Sequence, residues 1–136
     1  MDDVIINKAA IIERCILRIR EVYNNDPSNL TDITKQDSII LNIQRACEAA
    51  IDLAMHVIAE NSWGIPQLSR EAFDFLLVRD VINQDLARRL KAMVGFRNIA
   101  VHDYQKMDLG ILQQVIENHL DDLAVFSRTI LNKFNK

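Results

Sequence analysis

Apolar residues recur every three or four positions along most of this chain, the period of helices that each bury one stripe. Over residues 3–24 the stripe is Val4, Ile5, Ala9, Ile12, Ile16, Ile19 and Val22/Tyr23, and Asn24-Asn25-Asp26-Pro27-Ser28 stops it. Residues 29–37 read as a polar connector or a helical lead-in. A second helix is predicted from about Ser38 to Glu60, with Ile39, Ile40, Ile43, Ala46/Cys47, Ala50, Leu53/Ala54 and Val57/Ile58 on its core face. Its opposite side carries Arg45, Glu48, Asp52 and His56, again three or four apart. Asn61 to Pro66, with Trp63 and Gly64, is the clearest loop, and Trp63 is expected to anchor it. Ser69 is expected to cap a short helix through about Arg79, and Asn83 a helix through Leu86, Leu90 and Met93/Val94. Asp108 is expected to cap a last helix that buries Leu109, Leu112, Val115/Ile116, Leu120, Leu123 and Ile130/Leu131. With no alternating strand pattern and no repeat, the fold expected is an all-α bundle of about five helices, one domain over residues 1–136.

Composition narrows the function more than the fold. Hydrophobic residues make up 49% and charged residues 26% of 136, an ordinary globular balance. No apolar run approaches a membrane span and Met1-Asp2-Asp3 is acidic, so a cytoplasmic location is expected, with no membrane partner. Cys15 and Cys47 lie in helical patterns without metal-ligand spacing and read as reduced core thiols. The net charge of −3 hides an uneven distribution. Residues 84–107 hold Arg88, Arg89, Lys91, Arg97 and Lys106 against Asp85 and Asp103. Such a stretch is either a phosphate-attracting patch or a solvated helix face.

The chemistry concentrates in the same stretch, where Arg97, His102 and Tyr104 fall within eight residues. On an ideal helix five residues turn Arg97 away from His102 by about 140°. Either the helix loosens near Gly95, or it ends before His102, or the two side chains work with partners from another chain. Arg97 offers a permanently charged fork for phosphate oxygens. His102 can accept and donate a proton near neutrality. Taken alone, His102 also reads as a helix-end histidine favoured by the helix dipole, and Tyr104 as a packing residue. Together, Arg97 and His102 suit RNA cleavage by ribose 2′-OH attack, a reaction that needs no metal. The sequence has no helical His-x3-His pair and no Cys-x2-Cys, so no metal or other cofactor is expected. Asp52 and Glu48 could orient Arg97 or His102 from the second helix, or could be solvated or pair with Arg45. His56 and His119 read as ordinary helix-face histidines.

The spacing Arg97, four residues, His102, one residue, Tyr104 resembles the signature of the HepT toxins of the HEPN superfamily. Asn98, Asp103 and the run Ile43 to His56 of the second helix add to the likeness, which covers nearly the whole chain. The resemblance implies a ribonuclease toxin acting on tRNA or mRNA, built as a homodimer whose two motifs face each other across one cleft. It also implies a nucleotidyltransferase antitoxin of the MntA kind that attaches AMP to Tyr104. On this reading Arg97 and His102 are catalytic, and Asn98, Asp103 and Asp52 support them. The competing reading is a non-catalytic helical module that binds a nucleotide or scaffolds the nucleotidyltransferase. His102 separates the two, because a binding module needs charge there but no proton shuttle.

Overall fold

Asp2 starts the first helix: its carboxylate accepts the backbone N–H of Val4 and Ile5 at 3.0 and 3.2 Å. That satisfies two of the donors a helix leaves unpaired at its N-terminus. The helix, α1 (Asp3–Tyr23), stops at Asn24, whose left-handed backbone returns its N–H to the Arg20 carbonyl. This computed structural model describes residues 2–102 and 107–134.

The polar stretch after α1 resolves into two pieces. A 3₁₀ turn (Pro27–Thr31) comes first, and then α2 (Ile33–Glu60) begins five residues earlier than the apolar stripe indicates. Asp32 supplies the reason, since its side chain accepts from the Lys35 N–H at 3.1 Å. The first turn of α2 is helical because it is capped, not because it is buried; Ile33 is 72% exposed. Beyond that turn α2 is the wall of the fold, packing along α1 and against every later long helix.

The loop after α2 turns at Gly64 (φ 127°), where an added Cβ would meet the Phe75 ring at 2.8 Å. Trp63 anchors the loop by packing edge-on against Phe134, with the Arg79 guanidinium 5.3 Å from its ring centre. The short helix α3 (Glu71–Val78) is not capped by Ser69 as expected. Arg70 holds the cap position with no side-chain bond, and Ser69 contributes only its carbonyl, to the Ala72 N–H. Asn83 does cap α4 (Gln84–His102), its side chain accepting from Leu86 at 2.8 Å.

Asp108 caps α5 (Leu109–Gln114) through the N–H groups of Gly110 and Ile111. Leu109, expected in the core, is 36% exposed, because it is the first residue after the cap and precedes the buried stripe. The last helical stretch is not uniform: a π-helical segment, Val115–His119, joins α5 to α6 (Leu120–Phe134). One apolar cluster runs from Ile5 to Ile130 and includes both thiols. Among the described residues the fold is helical throughout, and no helix is long and apolar enough to cross a membrane.

Candidate functional site around Arg97 and His102

Helix α4 buries Ala87, Leu90, Met93, Val94, Phe96 and Ala100. Arg97 lies three residues after Val94 and three before Ala100, so it stands on the inward side of the helix. Its side chain is only 19% exposed, and its Nε is shut from solvent with no hydrogen-bond partner among the described residues. The guanidinium reaches the Glu48 carboxylate of α2 at 3.8 Å. A permanent cation on an apolar stripe needs such a counter-charge, because burying it alone is costly.

Helix α4 continues unbroken past Gly95 through His102, so it neither loosens nor ends where the sequence allowed. Arg97 and His102 therefore diverge, the first inward and the second exposed in the last turn of α4. Asn98 is exposed beside Arg97. Both line a cleft of about 280 Å³ closed on its other side by Leu68, Ser69 and Arg70. Asp103 and Tyr104 lie outside the described residues, as does Lys106.

The two carboxylates considered on α2 part company. Glu48 meets Arg97, whereas Asp52, 55% exposed, accepts from Lys8 of α1 at 3.0 Å. Neither pairs with Arg45. The basic stretch of α4 is largely compensated: Asp85 holds both Arg88 and Arg89, and Asp74 of α3 holds Lys91 at 2.8 Å. His56 bonds Asp2 at 2.7 Å and His119 bonds Asp122 at 3.2 Å, which gives both structural partners. Among the described residues no group of three or more His, Cys, Asp or Glu is placed to hold a metal ion.

Behind Arg97, burial pushes the Cys47 thiol up to about 12 despite the nearby guanidinium. Its Sγ faces the Met93 carbonyl at 3.8 Å. Cys47 is thus a packing residue at the back of the site and not a nucleophile. Ser69, read from the sequence only as a helix cap, and Arg70, not singled out, lie across the cleft from Arg97. The only available signal was their place in the polar lead-in to α3.

A family model described as Ribonuclease HepT-like matches residues 12–130. The chain is 51% identical over 126 residues to the mRNA nuclease HepT of Shewanella oneidensis, across 93% of this chain and 95% of that protein. Its fold matches the tri-AMPylated Shewanella oneidensis HEPN toxin in complex with MNT antitoxin at a TM-score of 0.92 and 50% identity. That match covers 98% of this chain and 100% of the other. A crystal structure of a toxin-antitoxin with AMP-PNP matches at a TM-score of 0.91 and 49% identity, over 96% of this chain and 99% of that one.

Proposed function

We propose, from the premise that this chain belongs to the ribonuclease HepT-like family, that it is an RNA endonuclease, the toxin of a toxin–antitoxin pair. Arg97 and His102 are its catalytic residues in this reading. The ribose 2′-oxygen attacks the adjacent phosphorus as a base removes its proton, and the bond to the 5′-oxygen breaks as an acid protonates that oxygen. His102 serves this proton traffic, and the Arg97 fork stabilises charge on the phosphorane. The name of the Shewanella relative favours mRNA as substrate over tRNA.

The observation that carries the reading is the divergence of Arg97 and His102 on one unbroken helix. A single copy presents them on different faces, so the active unit is a homodimer in which motifs from two copies share a cleft. The one apolar cluster supports a single helical domain over residues 1–136. Asn98 belongs to the site as a wall of the Arg97 cleft, and Glu48, more than Asp52, is placed to position Arg97. Asp103 adjoins His102 in sequence and keeps a supporting role.

The partner is an MntA-type nucleotidyltransferase, and AMP placed on Tyr104 silences the toxin in the cytoplasm. Tyr104 is two residues from His102, within ~7 Å along the chain whatever the backbone conformation. A phosphodiester charge and a base there repel and occlude RNA. The AMP-bearing Shewanella toxin supports this part of the reading.

Cleavage of RNA by wild type and variants tests it. His102→Ala abolishes cutting, and Arg97→Ala costs roughly 3–4 kcal/mol of transition-state stabilisation. A substrate with 2′-deoxyribose at the scissile position resists cleavage because its nucleophile is missing, and chelator changes nothing. Cutting of the deoxy substrate, or loss of activity in chelator, overturns the mechanism. Co-expression with the antitoxin adds AMP-sized mass to wild type and none to Tyr104→Phe.

A further inference from the structure

A concavity larger than the Arg97 cleft lies elsewhere on the described surface. It is a groove of about 540 Å³ between α1 and α2. Lys8, Arg14 and Arg18 come from α1, Arg45 from α2, and Glu48 and Asp52 are the acids between them. Four cations against two carboxylates make this wall basic on a chain whose net charge is −3.

The ion pairs sharpen the picture. Lys8 is spent on Asp52, and Arg18 pairs at 4.0 Å with Glu21. Glu48 turns to Arg97. Arg14 and Arg45 are both exposed and have no acid partner among the described residues. They line the same groove, Arg14 from α1 and Arg45 from α2, with Cys15 also in its lining. Two unpaired guanidiniums in one groove repel each other, and phosphate anions paired with them relieve that repulsion.

The groove also leads somewhere. Glu48 lines its edge and contacts Arg97, so its basic wall abuts the proposed catalytic arginine through one shared carboxylate. Along α1 the groove's wall runs from Lys8 to Arg18, about 15 Å, longer than a single ion needs.

We propose that the α1–α2 groove is a binding track for the phosphodiester backbone of single-stranded RNA, with Arg14 and Arg45 as its two phosphate contacts, outside the cleft where the bond is cut. The inference rests on the ribonuclease reading and adds a second, sequence-independent site to it. Backbone contacts of this kind raise affinity for a long strand without entering the chemical step.

The test compares wild type, an Arg14→Ala/Arg45→Ala double variant and an Arg14→Lys/Arg45→Lys double variant on a long RNA and on a dinucleotide. For the alanine variant, KM for the long RNA rises about tenfold while kcat holds, through the loss of two charge-assisted phosphate contacts. The dinucleotide, whose single phosphate is the one that is cut, leaves the groove empty and is cut as by wild type. The dependence of log kcat/KM on log salt flattens by about 1.4, near 0.7 per phosphate on a single strand. The lysine variant recovers most of the loss, because a phosphate track needs charge more than fork geometry.

An unchanged KM and salt slope in the alanine variant overturns the proposal. So does normal RNA cleavage combined with loss of antitoxin binding, or with a change in oligomeric state, since either makes the groove a protein interface. If wild type cuts no RNA the ribonuclease reading fails separately. Fluorescence anisotropy with labelled single-stranded RNA then still decides the groove, by whether the alanine variant binds more weakly.

Discussion

Arg97 depends on Glu48 for more than neutrality. Its Nε is enclosed, so the direction of the fork is set at the other end, where the Glu48 carboxylate faces Nη1. Orientation by a neighbouring carboxylate is worth an order of magnitude or more where a catalytic group must meet its target closely. Glu48→Gln keeps the shape and removes the charge, and it lowers kcat by about tenfold with KM little changed. Glu48→Asp, which keeps the charge on a shorter arm, recovers part of that loss, and a purely steric role for Glu48 predicts the reverse order. Steady-state kinetics on the three proteins separates the two. The same acid shows how residue-scale reading fell short. From sequence, Asp52 and Glu48 share a stripe and Asp52 reads as the supporting acid, whereas their partners, Lys8 on α1 and Arg97 on α4, come from other helices that spacing along α2 does not show.

Among the helices, what the chain announces locally is what could be read. The stripes of α1, of most of α2 and of α4, together with the caps Asn83 and Asp108, follow from spacing and side-chain type. The early start of α2 is set by Asp32 before any apolar stripe exists, so periodicity misses it. The π segment needs register information that apolar spacing does not carry. The uneven charge over residues 84–107 left a phosphate patch and a solvated face both open, and spacing alone does not show that Asp74 on α3 pairs with Lys91. Arg97 itself was legible as chemistry but not as an inward-facing group.

The π segment is also tied to α1, where the Tyr23 hydroxyl donates to Glu117. Tyr23 is 2% exposed, and burial, then the bond to Glu117, pushes its phenol from near 10 up to about 12. The fold therefore holds this proton more tightly than the unfolded chain does. Its stabilising contribution is complete below pH 10 and drains away as pH rises through about 12. Tyr23→Phe costs about 1–2 kcal/mol at neutral pH. Denaturant melts compared across that alkaline window show the gap between wild type and variant closing. A gap constant from pH 8 to 12 would mean the phenol is not linked to folding in this way.

For the whole molecule the question is what covers the outer face of α4. On its side toward α5, Ile99 is 45% exposed, and Ile111 of α5 is 51% exposed. Between the helices lies a mostly apolar hollow of about 400 Å³ that includes Gly95, where an added Cβ would meet nothing within 4 Å. Contiguous apolar surface beside a functional motif marks an interaction site. This hollow is the candidate seat for the second copy of the dimer proposed above. Charges on that face, as in an Ile99→Glu/Ile111→Glu variant, give a folded monomer by light scattering that no longer cuts RNA. A folded monomer with full activity would defeat the dimer reading.

The thiol behind Arg97 has a practical consequence for watching this site open. Cys15 borders the α1–α2 groove, while Cys47 is packed between α2 and α4 under the motif helix. Neither is reactive while its surroundings hold, so each one's alkylation rate clocks the loosening of a different seam. Mass-resolved labelling finds Cys15 modified first and Cys47 only when α4 lifts from α2. Anything that clamps the motif helix, whether RNA, antitoxin or a second copy, then slows the Cys47 clock selectively. The chain thus carries its own reporter of site occupancy, one that needs neither substrate turnover nor an introduced label.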